Sequence, residues 1–297
     1  AASLYQLQNG VLPSAVWLLG AVSLLRAAQA LWVGVRQGRA AQAIGLEIFK
    51  TLAVPALVLL VAIGLRGHKL PTVAAIVLTL AIITPLGPLV HRLVYRSLST
   101  SSVLTLLIVS VGVHFGLTSL ALALLGPEGF RIEPFADTGL TLGVVTLSGQ
   151  GIVILLASAL LIAALSFAFT RSFQGMALRA TAVNQLGARI VGLSADRAGQ
   201  VSFALAAALG ALSGMLIAPT VTIFYDTGFL IGLKGFVAAV FAGLASFPGA
   251  LAGAMVVGLI ESYASFFASA FKDAIVFSAV LPILLWRSLV HGSSEEH

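Results

Sequence analysis

The chain has 297 residues, is 59% hydrophobic and only 9% charged, contains no cysteine and carries a formal net charge of +6. A soluble domain of this size exposes roughly a quarter of its residues as charges, so a water-facing globule is excluded and lipid is the expected solvent. The absence of cysteine excludes disulfide, thiol and Cys-ligated metal chemistry. Long continuous apolar runs, in place of alternation over about ten residues, exclude a β-barrel.

Crossing the hydrocarbon takes about 20 apolar residues. Such runs fall at 11–33, 41–64, 71–91, 102–125, 150–170, 198–218, 230–246, 249–268 and 273–290. Ser246-Phe247-Pro248-Gly249 interrupts the seventh and eighth. That break reads either as a tight surface turn or as a re-entrant half-helix, which a membrane tolerates where protein or water covers the backbone. The expected fold is an all-α polytopic bundle of eight or nine spans, forming one transmembrane domain over 1–292 with a polar tail at 293–297.

Loop charges give an expected orientation. One alternating set of loops holds Arg36, Arg39, Arg92, Arg96, Arg171, Arg179, Arg189, Arg197 and Arg287. The other holds Glu128, Glu133, Asp137, Asp226 and Asp273, with few basic residues. The Lys/Arg bias makes the first set cytoplasmic. An outside N-terminus and a cytoplasmic C-terminus follow, and they need an odd number of crossings, which favours nine. The net positive charge is thereby accounted for without a nucleic-acid partner.

Small-xxx-small spacings recur at Gly112/Gly116, Gly139/Gly143, Gly210/Gly214, Gly228/Gly232 and Gly249/Gly253. They let helix backbones approach where lipid supplies no hydrophobic drive between helices. No P-loop, no H-E-x-x-H and no Ser/His/Asp spacing occurs, and the five histidines are scattered, so neither a catalytic nor a metal site is expected. His114, deep in a span, reads as a packing donor or a pathway residue. Ionisable residues inside spans need partners or a cavity. Arg26, Glu47 and Lys50 read as a local pairing cluster, and Lys234 and Glu261 as span-end side chains that snorkel.

Between the fifth and sixth runs lies a basic, small-residue segment, 171–197, whose core reads RATAVNQLGARIVGLSADRAGQ. Its four arginines bar it from the membrane. Good helix formers over Met176–Gly187 predict a short helix on the cytoplasmic face. Two readings stand on composition: a solvated loop, or a helix whose thin face docks into another protein.

GMALRATAVNQLGARIVGLSADRAGQVSFALAAALGALSGML (Gly175–Leu216) and LKGFVAAVFAGLASFPGALAGAMVVGLIES (Leu233–Ser262) resemble the permeases of branched-chain amino acid ABC importers. FKDAIVFSAVLPILLWR, HRLVYRSL and GPEGFRIEPF fit the same pattern, so the likeness spans about residues 88–290. It is closest to the subunit type also found in urea and amide importers. The first third departs from the family: Val33–Gly45 keeps only Gly38 and Gly45 of the usual glycine-rich motif.

The resemblance implies a subunit that passes a small polar solute through the inner membrane by alternating access. The solute is a branched-chain or other amino acid, or an amide. Implied partners are a second permease (a related chain or another copy), two cytosolic ATP-binding subunits and a periplasmic binding protein. ATP and magnesium sit on the ATPases, and this chain holds no cofactor. Arg179–Gly192 becomes the coupling helix, with Ala180, Ala182 and Gly187 seated in an ATPase cleft. Asn184 and Gln185 hydrogen-bond there, and Arg179 and Arg189 meet acidic groups at the rim. The binding protein is expected to dock on Gly126–Thr138 and Thr220–Thr227. Solute-path candidates are Gly38, Gly45, Gly243, Ser246, Pro248 and Gly249, with Pro248-Gly249 reading alternatively as a turn without solute contact. Two competing readings are an ion-coupled secondary transporter acting alone and an assembly protein that transports nothing.

Overall fold

The computed structural model describes residues 71–98, 101–136, 139–142, 145–243 and 246–279, with isolated positions at 21–31, 282 and 285. Five helices among them are long and apolar enough to cross a membrane, and Thr227–Phe241 is a shorter apolar helix. The expected span 41–64, most of 11–33 and half of 273–290 lie outside the described residues, as do Arg26, Gly38, Gly45, Glu47 and Lys50.

The first described span, Thr72–Leu93, is two helices, α1 (Thr72–Ile83) and α2 (Leu86–Leu93). Pro85 explains the break. It has no N–H to donate and its ring disfavours a continuous helix. A 3-10 turn, Tyr95–Leu98, leads to α3 (Val103–Leu125), whose N-cap Ser102 accepts the Thr105 N–H. At 23 residues α3 reaches about 34 Å, enough for the hydrocarbon with some tilt.

One short ribbon departs from the all-helical expectation. β1 (Leu140–Leu142) pairs antiparallel with β2 (Val145–Leu147), Thr141 opposite Thr146. β-branched residues favour extended backbone there. Then come α4 (Gly149–Arg171), α5 (Phe173–Val183), α6 (Gln185–Ile190) and α7 (Ala195–Ile217). The last are α8 (Thr227–Phe241), α9 (Phe247–Phe267) and α10 (Lys272–Ser278), with a 3-10 turn at Ser269–Phe271.

The chain falls into two units, Ala1–Ile154 with Ala177–Tyr225, and Leu155–Met176 with Asp226–His297. In the first, α1 and α2 pack on α7. Ala75, Ile132, Met215 and Ala218 are buried there, with Ile76, Phe135 and Leu212 around them. Gln150, itself buried, donates to the Leu216 carbonyl at 2.9 Å and accepts from the Phe135 N–H at 3.0 Å. The loops at 126–138 and 219–225 meet through two backbone hydrogen bonds between Phe130 and Ile223, 2.9 Å each. Arg131 Nε adds a bond to the Pro219 carbonyl at 3.2 Å.

In the second unit α8, α9 and α10 close around Val237, Ala238, Val257 and Val276. Lys234 and Glu261 do not snorkel separately. Lys234 Nζ lies 2.5 Å from Glu261 Oε1 and 3.0 Å from Asp273 Oδ1. Charge in a low-dielectric medium seeks a counter-charge before it seeks a distant interface, and three adjacent helices supply it.

The small-xxx-small expectation is corrected in part. At Gly112, Gly116, Gly210, Gly214, Gly228 and Gly232 an added Cβ meets nothing within 4 Å among the described residues. Gly249 and Gly253 do pack, the first against Ala242 and the second under the Ala238 carbonyl. Gly139 packs against the Leu147 carbonyl, and solitary glycines make close approaches too, among them Gly87 under the Phe203 carbonyl and Gly199 under the His91 ring.

Candidate functional site

The basic segment is two helices, where one was expected over Met176–Gly187. Ser172 separates α4 from α5 by a single residue: its hydroxyl donates to the Ala168 carbonyl at 2.6 Å and accepts the Gly175 N–H at 3.0 Å. Gly175 is buried, and a Cβ there would stand 2.5 Å from the Ala168 carbonyl oxygen. The start of α5 is therefore folded tightly back on the end of α4.

Asn184 ends α5 and caps α6. Its backbone is extended, and its Oδ1 accepts the Gly187 N–H at 2.8 Å. A helix of six residues cannot hold itself together by propagation alone, and a cap of this kind is worth about 1 kcal/mol. The other end is closed as well. Gly192 takes φ +85°, its N–H bonds to the Arg189 carbonyl, and the Leu193 N–H bonds to the Ala188 carbonyl at 2.9 Å. That pair of bonds is the Schellman arrangement, and the left-handed residue at its centre is the one place here that needs glycine. Ser194 then caps α7 by accepting the Arg197 N–H. The path from α6 to α7 contains no residue without a hydrogen-bonded task.

The sequence-predicted residues divide accordingly. Asn184, Gly187 and Gly192 build α6. Arg179, Ala180, Ala182, Gln185 and Arg189 are exposed. Ala188 alone turns inward in α6. Polarity reasoning missed the apolar surface of the segment: Val183 is 88%, Leu186 72%, Ile190 80% and Val191 73% exposed. Leu186 and Ile190 stand four apart and share one helix face. The signal was present as apolar residues inside a segment too charged to enter lipid.

A second group went unread. At the end of α2 and the start of α7, Arg92 Nη2 donates to Gln200 Oε1 at 2.5 Å, and Gln200 Nε2 donates to Asp196 Oδ2 at 2.9 Å. Arg96 Nε lies 3.7 Å from Asp196 Oδ2, and His91 Nδ1 lies 3.9 Å from Asp196 Oδ1. Phe203 covers the group, its ring 5.2 Å from His91 and 4.9 Å from Tyr95. The signal was Asp196 and Gln200 four apart on one helix face.

Gly243, Ser246, Pro248 and Gly249 all do turn chemistry. Gly243 ends α8 at φ +78°, Ser246 accepts the Gly249 N–H at 3.2 Å, and Pro248 sits in the first turn of α9, where a missing N–H costs nothing. Phe247 meets Phe169 near the end of α4, ring centroids 5.0 Å apart.

The family described as branched-chain amino acid transport system, permease component, matches residues 14–286. The chain belongs to that permease family. Among curated relatives, the high-affinity branched-chain amino acid transport system permease protein BraD of Pseudomonas aeruginosa is 27% identical over 243 residues, 80% of this chain and 79% of the relative. The permease proteins LivH of Escherichia coli K12 and of Salmonella typhimurium are each 27% identical over 237 residues, 76% of both chains. No solved structure matches. Family membership and the apolar helices make this a multi-pass membrane permease, a transport protein and not an enzyme.

Proposed function

We propose that this chain is the membrane subunit of an ATP-driven importer. It carries a branched-chain amino acid, another amino acid or an amide across the inner membrane by alternating access. It crosses eight or nine times, with its N-terminus outside and its C-terminus in the cytoplasm. A loaded binding protein docks on the outer loops Gly126–Thr138 and Thr220–Thr227, whose pairing through Phe130 and Ile223 offers one continuous surface. Two cytosolic subunits bind ATP and magnesium and close on each other. The solute passes between this chain and a second permease, related or identical, with the Gly243–Gly249 turn near the cytoplasmic mouth.

The observation that carries the reading is α6 itself. A six-residue helix capped at both ends, joined to α7 without slack, exposes Leu186 and Ile190 to whatever lies outside the bilayer. Exposed apolar side chains on a rigid element mark a docking surface. A rigid element is also what a subunit motion needs in order to reach the spans. Arg179 and Arg189, both exposed, suit acidic groups at the rim.

Purifying the chain from its native membrane and identifying what accompanies it tests this. Two ATP-binding subunits are the expected companions. Changing Leu186 and Ile190 together (Leu186→Asp, Ile190→Asp) lowers their recovery by about tenfold or more. The thermal unfolding of the detergent-solubilised chain stays unchanged, because neither side chain is packed. Recovery of the permease without any ATP-binding subunit overturns the reading.

A further inference from the structure

We propose that Asp196 is a positioning residue that latches the Thr72–Leu93 span to α7, so that a push on α6 moves both spans together. The proposal rests on the importer reading of α6 and adds the route by which its motion spreads.

The route is visible in the chain order. Four residues, Val191 to Ser194, separate α6 from α7, and each of them is hydrogen-bonded. Asp196 follows in the first turn of α7, so any displacement of α6 arrives there first. From that turn Asp196 faces three basic residues of the preceding span and its 3-10 turn: His91, Arg96 and, through Gln200, Arg92. Apolar contact holds α2 and α7 together laterally, with Gly87 under the Phe203 carbonyl and Gly199 under the His91 ring. In lipid such a seam has no hydrophobic drive, and close backbones alone do not stop one helix sliding along another. Directional polar contacts at the end of the seam do.

The latch is also unfinished. His91 Nδ1, Arg92 Nε and Asp196 Oδ1 are buried and make no hydrogen bond. His91 Nδ1 and Asp196 Oδ1 face each other at 3.9 Å. Closing that gap to a hydrogen bond takes a shift of about 1 Å. Unpaired buried polar groups favour such a shift, and packed interfaces change by small discrete steps of this size. A tighter setting of this contact, with the His91–Asp196 hydrogen bond made, lies within that small shift of the described one.

The chain has no native cysteine, so single reporters are clean. Val73→Cys reports on the start of α1 and Thr220→Cys on the turn that follows α7, both exposed sites. Each is placed in the complex purified with its ATP-binding subunits, and maleimide labelling is timed with and without ATP plus vanadate. With Asp196 intact, nucleotide trapping changes the labelling rate at both positions by about fivefold or more. With Asp196→Asn the change persists at Thr220→Cys and is lost at Val73→Cys, while the ATP-binding subunits still co-purify.

An unchanged response at Val73→Cys in the Asp196→Asn background overturns the latch, as does the absence of any response at Val73→Cys with Asp196 intact. Both outcomes leave the importer reading standing, because the ATP-binding subunits are still recovered. If the native chain recovers none, the importer reading falls, and the latch falls with it. If Asp196→Asn does not accumulate, Gln200→Leu breaks the Arg92 arm without changing any charge and gives the same comparison. If neither variant accumulates, the group is a folding element and the latch is overturned.

Discussion

Among the described residues two charged clusters hold helices together, and they are built on opposite plans. Where α2 meets α7, one carboxylate faces three basic residues, its ionic distances are 3.7 and 3.9 Å, and the short hydrogen bonds run through the neutral Gln200. Where α8, α9 and α10 meet, one ammonium sits between two carboxylates at 2.5 and 3.0 Å, with no neutral relay. The first leaves three buried atoms without hydrogen bonds; the second leaves Asp273 Oδ1, which still lies against the ammonium. Since apolar side chains gain nothing by leaving lipid for one another, polar contacts decide which helices are fixed and which can shift. The tight cluster is a staple, and the loose one lies at the first turn of α7, the helix that follows α6 in the chain.

Removing the ammonium breaks the staple with the largest expected effect. Lys234→Ala leaves Glu261 and Asp273 as two like charges with no counter-ion. Breaking a fully buried pair costs about 3–5 kcal/mol. Partial exposure of these side chains lowers the expectation to about 2–3 kcal/mol, read as a fall in the thermal unfolding temperature in detergent. Asp273→Asn keeps the Lys234–Glu261 pair and costs less than about 1 kcal/mol. Equal losses for the two variants would mean that the carboxylates are not held apart by Lys234 at all.

A middle-sized effect asks whether the two seams are equally well packed, whatever their charges do. Gly87→Ala drives a Cβ into the Phe203 carbonyl, and Gly253→Ala drives one into the Ala238 carbonyl. Neither neighbour is a flexible side chain, so a backbone must move, at about 1–3 kcal/mol each. Gly112→Ala, with nothing within 4 Å, serves as the control and stays neutral or gains slightly through helix propensity. If Gly87→Ala is tolerated like Gly112→Ala, the α2–α7 seam is already loose before its latch is touched.

Much of this architecture is readable from the linear chain, because hydrocarbon thickness sets the length of an apolar run. The runs 102–125, 150–170 and 249–268 lie within two residues of α3, α4 and α9 at every boundary. The start of α7 was placed late. Asp196 and Arg197 look like loop residues, yet Ser194 caps the helix, and charges are welcome in a first turn that has not entered lipid. The ribbon at 140–147 is too short to register against runs of 20 residues. Glycine spacing names a thin helix face but not its partner, which is why Gly112/Gly116 stays open while the solitary Gly87 is filled. Charge alone marked 171–197 as the segment outside the bilayer. It could not show that Asn184 and Gly192 serve α6 itself, or that Leu186 and Ile190 form its outer face. Lys234 and Glu261 stand 27 residues apart in sequence and Asp273 lies on a third helix, and only the packing of three helices reveals them as one group.

The smallest expected effect draws the line between staple and latch most finely. Arg96 is well exposed, and its Nε stands 3.7 Å from Asp196, an ionic distance too long for a hydrogen bond. Arg96→Gln therefore costs less than about 0.5 kcal/mol, the usual range for a solvent-screened pair, and that small loss shrinks further in high salt. Arg92→Gln is a different substitution, because it removes the 2.5 Å bond to Gln200 and leaves a half-buried amide oxygen to find another donor. Its cost is about 1–2 kcal/mol and is insensitive to salt. Paired unfolding measurements at low and high salt separate the two arginines. A salt-insensitive loss for Arg92 alone places the grip of α2 on α7 in the neutral relay. A loss confined to Arg96 and erased by salt moves that grip to the surface, and the seam then resembles the staple in kind and differs only in strength.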